Sequence, residues 1–217
     1  LEFREGARPD ANPVAPLHQA EAAELPPEKL PIMRVIGQFR NAYIIAEGPD
    51  GLYLVDQHAA HERVLFERIT KARESQAIQQ QGLLEPLSIE LNAYQSELVS
   101  AESELLSESG FTLEPFGERA CLLRTVPAFL DQKQIKPVIL EILDLLEQGQ
   151  RSQWRERIAA SLACHGAVRA SQPLSQEEMA DLLRQLEETT LSKTCPHGRP
   201  TVVRLDMAYL EKGFGRH

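Results

Sequence analysis

The tetrapeptide Gly48-Pro49-Asp50-Gly51 lies between two short β-branched and aromatic runs, Ala42 to Glu47 and Leu52 to Val55. Its turn chemistry folds the two runs back on each other as a hairpin. A third run, Ile32 to Gly37, precedes them, so the chain opens its folded part with an antiparallel sheet. Asp56 follows the last run and stands before a helical pattern from Gln57 to about Glu74, where its carboxylate fits the N-cap.

Further helices are expected at Ala93 to Ser107, Ile135 to Glu147, Gln153 to Ala170 and Gln176 to Thr189. Strands are expected near Phe111 to Phe116, Cys121 to Val126 and Thr201 to Asp206. The fold class is therefore α+β: an antiparallel sheet with helices, plus an inserted βαββα unit. Residues 87–149 read as that self-contained unit, and 31–86 with 150–217 as the main lobe. Residues 1–30, with Pro9, Pro13, Pro16, Pro26 and Pro27 and no helical or strand period, read as a disordered linker.

At 217 residues the chain can bury a sizeable core without a disulfide or metal staple. With 32 acidic against 23 basic side chains, the net charge of −9 disfavours a surface that grips nucleic acid by electrostatics alone. Three cysteines without paired spacing fit a reducing compartment, and no apolar run approaches the length of a membrane span. The expectation is a cytoplasmic protein with no membrane partner.

Two segments have ligand chemistry. His58 and Glu62 are four apart on the first helix, so they project from one face. Cys195 and His197 sit in a loop broken by Pro196 and Gly198, which can aim a thiolate and an imidazole at one point. Cys164 and His165 form a third candidate pair on the helix from Gln153. Thiolate, imidazole and carboxylate together suit zinc, and the same carboxylates with open water positions also accept manganese or magnesium. Asp56 and Glu62 are the expected carboxylates for holding or orienting a bound water. Taken alone, a His-x-x-x-Glu pair is usually a solvated surface pair. His61 is expected on a solvated flank, Cys121 as a small buried hydrophobe, and His18 and His217 carry no assignment.

Asp56-Gln57-His58-Ala59-Ala60-His61-Glu62, continuing to Glu67, resembles the DQHA-x2-E-x4-E motif of the MutL family of mismatch-repair proteins. Cys195 to Pro200 is similar to that family's C-P-H-G-R-P motif, and Phe214-Gly215-Arg216 to its C-terminal F-x-R. The A-C-R motif is met in part, because Ala163-Cys164 is followed by His165 rather than by a basic residue. His165 can replace the missing cation, add a ligand or point away.

The resemblance covers roughly Leu30 to the end and implies the family's C-terminal dimerisation and endonuclease region, a homodimer that nicks DNA. It implies metal binding by His58, Glu62, Cys164, Cys195 and His197, and catalytic roles for Asp56, Glu62 and Arg199, with Arg199 facing the phosphate. Mn2+ is the expected activating ion and Zn2+ the structural or regulatory one. The ATPase region lies outside this chain, which is expected to bind no ATP. Residues 87–149 correspond to an external regulatory lobe.

Gln81-Gly82-Leu83-Leu84-Glu85-Pro86 resembles the Q-x2-(L/I)-x-P motif through which such proteins bind the replicative sliding clamp, with Gln81, Leu84 and Pro86 as anchors. The bland alternative is a hinge whose leucines pack on the core. A weak tether would deliver an acidic domain with little intrinsic affinity for double-stranded DNA to its substrate. The mismatch-recognition protein MutS is expected as a partner of the full-length protein. Two rivals stand beside the nuclease: a dimerisation and recruitment module with structural zinc, and a Cys-His hydrolase, for which no nucleophile elbow is present.

Overall fold

The computed structural model describes residues 30–75, 78–148, 150–167 and 172–215. In chain order the elements are β1 (Arg34–Phe39), β2 (Tyr43–Gly48), β3 (Gly51–Asp56), α1 (Gln57–Glu74), β4 (Gln80–Glu90), α2 (Ala93–Ala101), α3 (Ser103–Glu108), β5 (Thr112–Pro115) and β6 (Ala120–Pro127). There follow α4 (Gln132–Gln148), a 3₁₀ turn at Arg151–Gln153, α5 (Trp154–Gly166), α6 (Gln176–Glu187), β7 (Val202–Leu205) and α7 (Met207–Gly213). The α+β class is as expected. Residues 1–29, the end of the helix expected to reach Ala170, and Arg216 and His217 lie outside the described residues.

The first sheet has the order β1-β2-β3-β7, and all its neighbours are antiparallel. Arg40, Asn41 and Ala42 join β1 to β2; Arg40 and Asn41 have positive φ (54° and 52°), as at the centre of a type I′ turn, which the Ala42 N–H closes on the Phe39 carbonyl at 3.1 Å. Gly48 pairs with Gly51 across the Pro49-Asp50 turn. At Gly51, φ is +136° and an added Cβ would lie 2.4 Å from the Leu205 carbonyl oxygen, so only glycine lets β7 close on this end of β3.

Period-two alternation puts Val35, Ile44, Ala46, Tyr53, Val55 and Val202 on one face. They pack with Ala60 and Val64 of α1 and Met179, Leu182, Leu183 and Leu186 of α6. Fully burying a side chain of this size contributes about 1.5–3 kcal/mol. The helix starts are set by side chains: Asp56 caps α1, and Ser175 with Glu178 forms a capping box on α6.

The second sheet has the order β4-β6-β5. Its core (Ile89, Phe111, Leu123, Val126) is covered by α2 and α4, but the same cluster continues through Ile69 of α1 and Ile158 and Leu162 of α5. The expected self-contained βαββα unit is thus corrected in two respects. Its apolar core is shared with helices outside it, and its boundary at Leu87 falls inside β4. The helix expected over Ala93 to Ser107 is broken at Glu102. The next begins at Gln132, with Pro137 tolerated inside it. No helix among the described residues is long and apolar enough to cross a membrane.

Candidate metal centre

The start of α1 is fixed from three sides. The Asp56 carboxylate accepts the Ala59 N–H at 3.0 Å, and the Asp56 N–H donates to the Thr201 carbonyl at 2.9 Å. Gln57, fully buried, sends its Nε2 to the Gln172 carbonyl at 3.0 Å and receives Gln38 Nε2 on its Oε1 at 2.5 Å. Its own N–H donates to the Ala42 carbonyl at 3.0 Å. The helix that presents Glu62 is therefore anchored to the sheet, and Gln57 is a structural residue.

The loop at Cys195 to Pro200 is closed by its own backbone. Cys195 N–H donates to the Arg199 carbonyl at 2.8 Å and Gly198 N–H to the Cys195 carbonyl at 2.9 Å, with Thr194 and Pro200 bridged as a short antiparallel pair. Gly198 has φ +80°, a conformation that glycine takes without a Cβ penalty. Two further α1 side chains hold this region. Arg63, 5% exposed, donates Nε to the Thr194 carbonyl at 2.5 Å and lies over the Phe66 ring at 5.4 Å. Glu67 accepts the Thr190 and Leu191 N–H groups at 2.8 and 3.2 Å. Sequence reasoning assigned neither residue a role.

Glu62, Cys164 and His197 each offer a ligand atom, and these atoms all lie within 4.8 Å of one another. They come from α1, α5 and the Cys195–Pro200 loop. The Glu62 side chain is 0% exposed, yet neither carboxylate oxygen has a well-aligned hydrogen bond. His58 Nε2 lies 3.1 Å from Oε1, within hydrogen-bond distance but not aligned as one, and Arg199 Nη2 stands 3.8 Å from Oε2. A buried carboxylate so poorly satisfied is costly unless a cation compensates it. With a thiol and an imidazole converging on it, the donor set fits a zinc-type ion.

The charges agree with the geometry. Burial, then the neighbouring Glu62 carboxylate, push the Cys164 thiol up to about 11. A bound divalent ion would reverse this, since a coordinating thiol is deprotonated. Arg199, with its side chain 64% exposed, is drawn in by a hydrogen bond to Cys195 and by the charge of Glu62, both of which raise its pKa. Cys195 and His58, expected as ligands, are not brought into the trio. Cys195 is buried beneath Arg199, and His58 flanks Glu62. Asp56 faces the helix end as its cap.

The model of the MutL C terminal dimerisation domain matches residues 36–174, more than half of the chain. This chain belongs to the MutL family. It is 39% identical over 202 residues to a DNA mismatch repair protein MutL from Koribacter versatilis, which covers 90% of the chain and 31% of that relative. The MutL of Symbiobacterium thermophilum is 40% identical over 198 residues (88% and 31%), and that of Paramagnetospirillum magneticum 41% over 211 (94% and 35%). The chain thus spans about a third of the length of these MutL relatives.

At the partly met MutL motif after Ala163-Cys164, His165 points away from the trio. Its Nε2 is 2.8 Å from Glu141 Oε2 and its Nδ1 2.9 Å from Gln134 Oε1, both on α4. Neither ring nitrogen is left to bind an ion. His61, expected on a solvated flank, is instead partly buried beside Leu174, Glu178 and Leu182, and that burial lowers its pKa. Cys121 is 1% exposed, as expected of a small core residue.

The Gln81–Pro86 segment, for which a hinge was the bland expectation, lies within β4. The ladder with β6 is interrupted between Gly82 and Leu87, which leaves Leu84 fully exposed while Gln81 Nε2 donates to the Leu130 carbonyl at 3.4 Å. Beside the trio, a cleft of about 610 Å³ is lined by Arg63, Glu141, Arg157, Cys195 and His197. Of the C-terminal motif, Phe214 is 80% exposed.

Proposed function

We propose that this chain is the homodimerising, metal-dependent DNA-nicking part of a MutL-type mismatch-repair protein. The observation that carries the reading is the fully buried Glu62 carboxylate, without an aligned hydrogen bond and converging with Cys164 and His197. Glu62, Cys164 and His197 would hold the ion, with His58 and Cys195 at its margin, Zn2+ as the structural or regulatory ion and Mn2+ as the activating one. Such an ion lowers the pKa of a bound water and neutralises charge on phosphate oxygens. The residues do the rest. Glu62 orients the attacking water. Asp56 supports it from the end of the same helix. Arg199, four residues after Cys195 in the same loop and largely exposed, meets the phosphate.

The outer face of the first sheet supports a homodimer. Ile45 pairs with Leu54 and Leu54 with Val203, and Val203 (38%) and Tyr43 (43%) are exposed on this face, with the Arg34–Glu47 ion pair at its edge. The second sheet, with α2, α3 and α4, serves as an external regulatory lobe. Gln81, Leu84 and Pro86 dock the replicative sliding clamp, a role supported by the exposure of Leu84 at the ladder break. Clamp delivery offsets the weak attraction of a net −9 domain for double-stranded DNA. MutS is engaged through the full-length protein, and the setting is the cytoplasm.

Nicking of supercoiled plasmid in manganese tests the proposal. Glu62→Lys should abolish it, and parental activity in that variant would overturn the reading. A second reading, a recruitment module whose zinc is structural, is favoured by the position of Cys164 and His197, which join α5 and the Cys195–Pro200 loop to α1. Chelation separates the two: dissociation of the dimer supports structural zinc, and a folded dimer without nicking supports catalysis.

A further inference from the structure

Cys164 enters the trio from α5, and the next residue, His165, grips the facing helix. Both its ring nitrogens are engaged on α4, by Gln134 Oε1 at 2.9 Å and by Glu141 Oε2 at 2.8 Å. Gln134 and Glu141 are seven apart, two helical turns, so they present an amide and a carboxylate on one face of α4, the carboxylate placed to accept one ring N–H of a single imidazole and the amide facing its other nitrogen. Glu141 also lies close enough to Cys164 for its charge to act on the thiol, and it lines the same cleft as Cys195 and His197. The contact thus ties down two things next to the trio: the rotation of α5 that presents Cys164, and a second carboxylate.

We propose that His165 is a positioning residue for the cation site, clasping Gln134 and Glu141 so that α5 delivers Cys164 toward Glu62 and His197. The clasp replaces, with a different side chain, the basic residue expected after Ala163-Cys164. An arginine there could reach Glu141 equally well, because a guanidinium and an imidazole both donate N–H to a carboxylate. Residues outside the ligand set that fix a ligand's orientation typically alter metal affinity by about 10–100-fold when removed.

The inference rests on the proposed cation site, and the experiment keeps the two apart. Zn2+ affinity is measured by competition with a chelating dye for the parent, Glu62→Gln, His165→Ala, Glu141→Ala, the His165→Ala/Glu141→Ala double variant and His165→Arg. Co2+–thiolate absorption reports the Cys164 bond directly. Glu62→Gln should lose binding, and parental affinity in that variant overturns the cation site itself. His165→Ala and Glu141→Ala should each lower affinity about tenfold and weaken the Co2+–thiolate band. The double variant should fall no further than the worse single one, the signature of one shared contact, and His165→Arg should restore affinity to within about twofold of the parent. Parental affinity in His165→Ala, additive losses in the double variant, or no recovery with arginine would each overturn the clasp. If His165→Ala does not fold, Glu141→Ala decides alone, with parental affinity and absorption counting against it.

Discussion

Arg63 Nε donates to the Thr194 carbonyl at 2.5 Å, so the helix that carries Glu62 also tethers the loop that carries His197. Arg63→Met keeps most of the buried stem and removes the donor. It should cost about 1.5–3 kcal/mol, the usual worth of a hydrogen bond from a charged group. The denaturant midpoint should fall and Zn2+ affinity with it. An unchanged midpoint would show that the loop closes without this tether.

Asp56 has two readings that one pair of variants separates. Asn caps a helix as well as Asp, whereas Ala costs about 1 kcal/mol there. Asp56→Asn should therefore keep parental thermal stability and lose plasmid nicking, while Asp56→Ala should lose both. Full nicking by Asp56→Asn would reduce Asp56 to the α1 cap seen in its bond to Ala59.

A charge placed on the outer face of the first sheet should separate the protomers. Leu54 is paired with Ile45 on one side and Val203 on the other, so Leu54→Glu would bury a carboxylate in the centre of the proposed interface. Sedimentation equilibrium should show the variant as a monomer at concentrations where the parent is a dimer. A dimeric variant would move the interface elsewhere.

Replacing Gln81 and Leu84 by Ala should lower clamp-stimulated nicking and leave clamp-free nicking at the parental rate. Leu84 is fully exposed, so its loss removes no core contact. Equal loss of both activities would end the docking role.

Burial raises the pKa of Glu187, even though its carboxylate accepts the Met33 N–H at 3.0 Å. A carboxyl raised in the fold binds its proton more tightly there than in the unfolded chain. It favours folding below the ordinary carboxylate pKa, and that contribution is lost as pH rises through the higher folded value. Glu187→Gln keeps an acceptor for Met33 without the charge. Its melting temperature should exceed the parent's at pH 7, with the difference shrinking as pH falls into the acid range. A constant difference across pH would locate the effect outside this titration.

The hairpin, the N-cap at Asp56 and the whole of α1 were legible in the sequence because each depends on neighbours within a few residues. The ligand types were legible too, since Glu62, Cys164 and His197 all stood among the candidates. Their assembly was not. Helical spacing relates His58 to Glu62, but no local rule says that α5 brings Cys164 to Glu62 and leaves Cys195 under Arg199. The contacts of Arg63 and of the motif residue Glu67 were hidden for the same reason: their partners, Thr194, Thr190 and Leu191, lie more than a hundred residues away. The break at Glu102 and the shared core of the second sheet are tertiary choices. A unit that looks closed in sequence has its last apolar side covered by α5.

Strand β4 is an outer strand of its sheet, and a continuous outer strand offers a template on which another chain can pair. Here the ladder is interrupted between Gly82 and Leu87, and Pro86 has no N–H to give. The interruption that leaves Leu84 projecting from the surface therefore also guards against aggregation. A variant that regularised this stretch, with Pro86→Thr as its simplest form, would expose a longer run of unpaired amide groups and make the protein prone to edge-to-edge polymerisation.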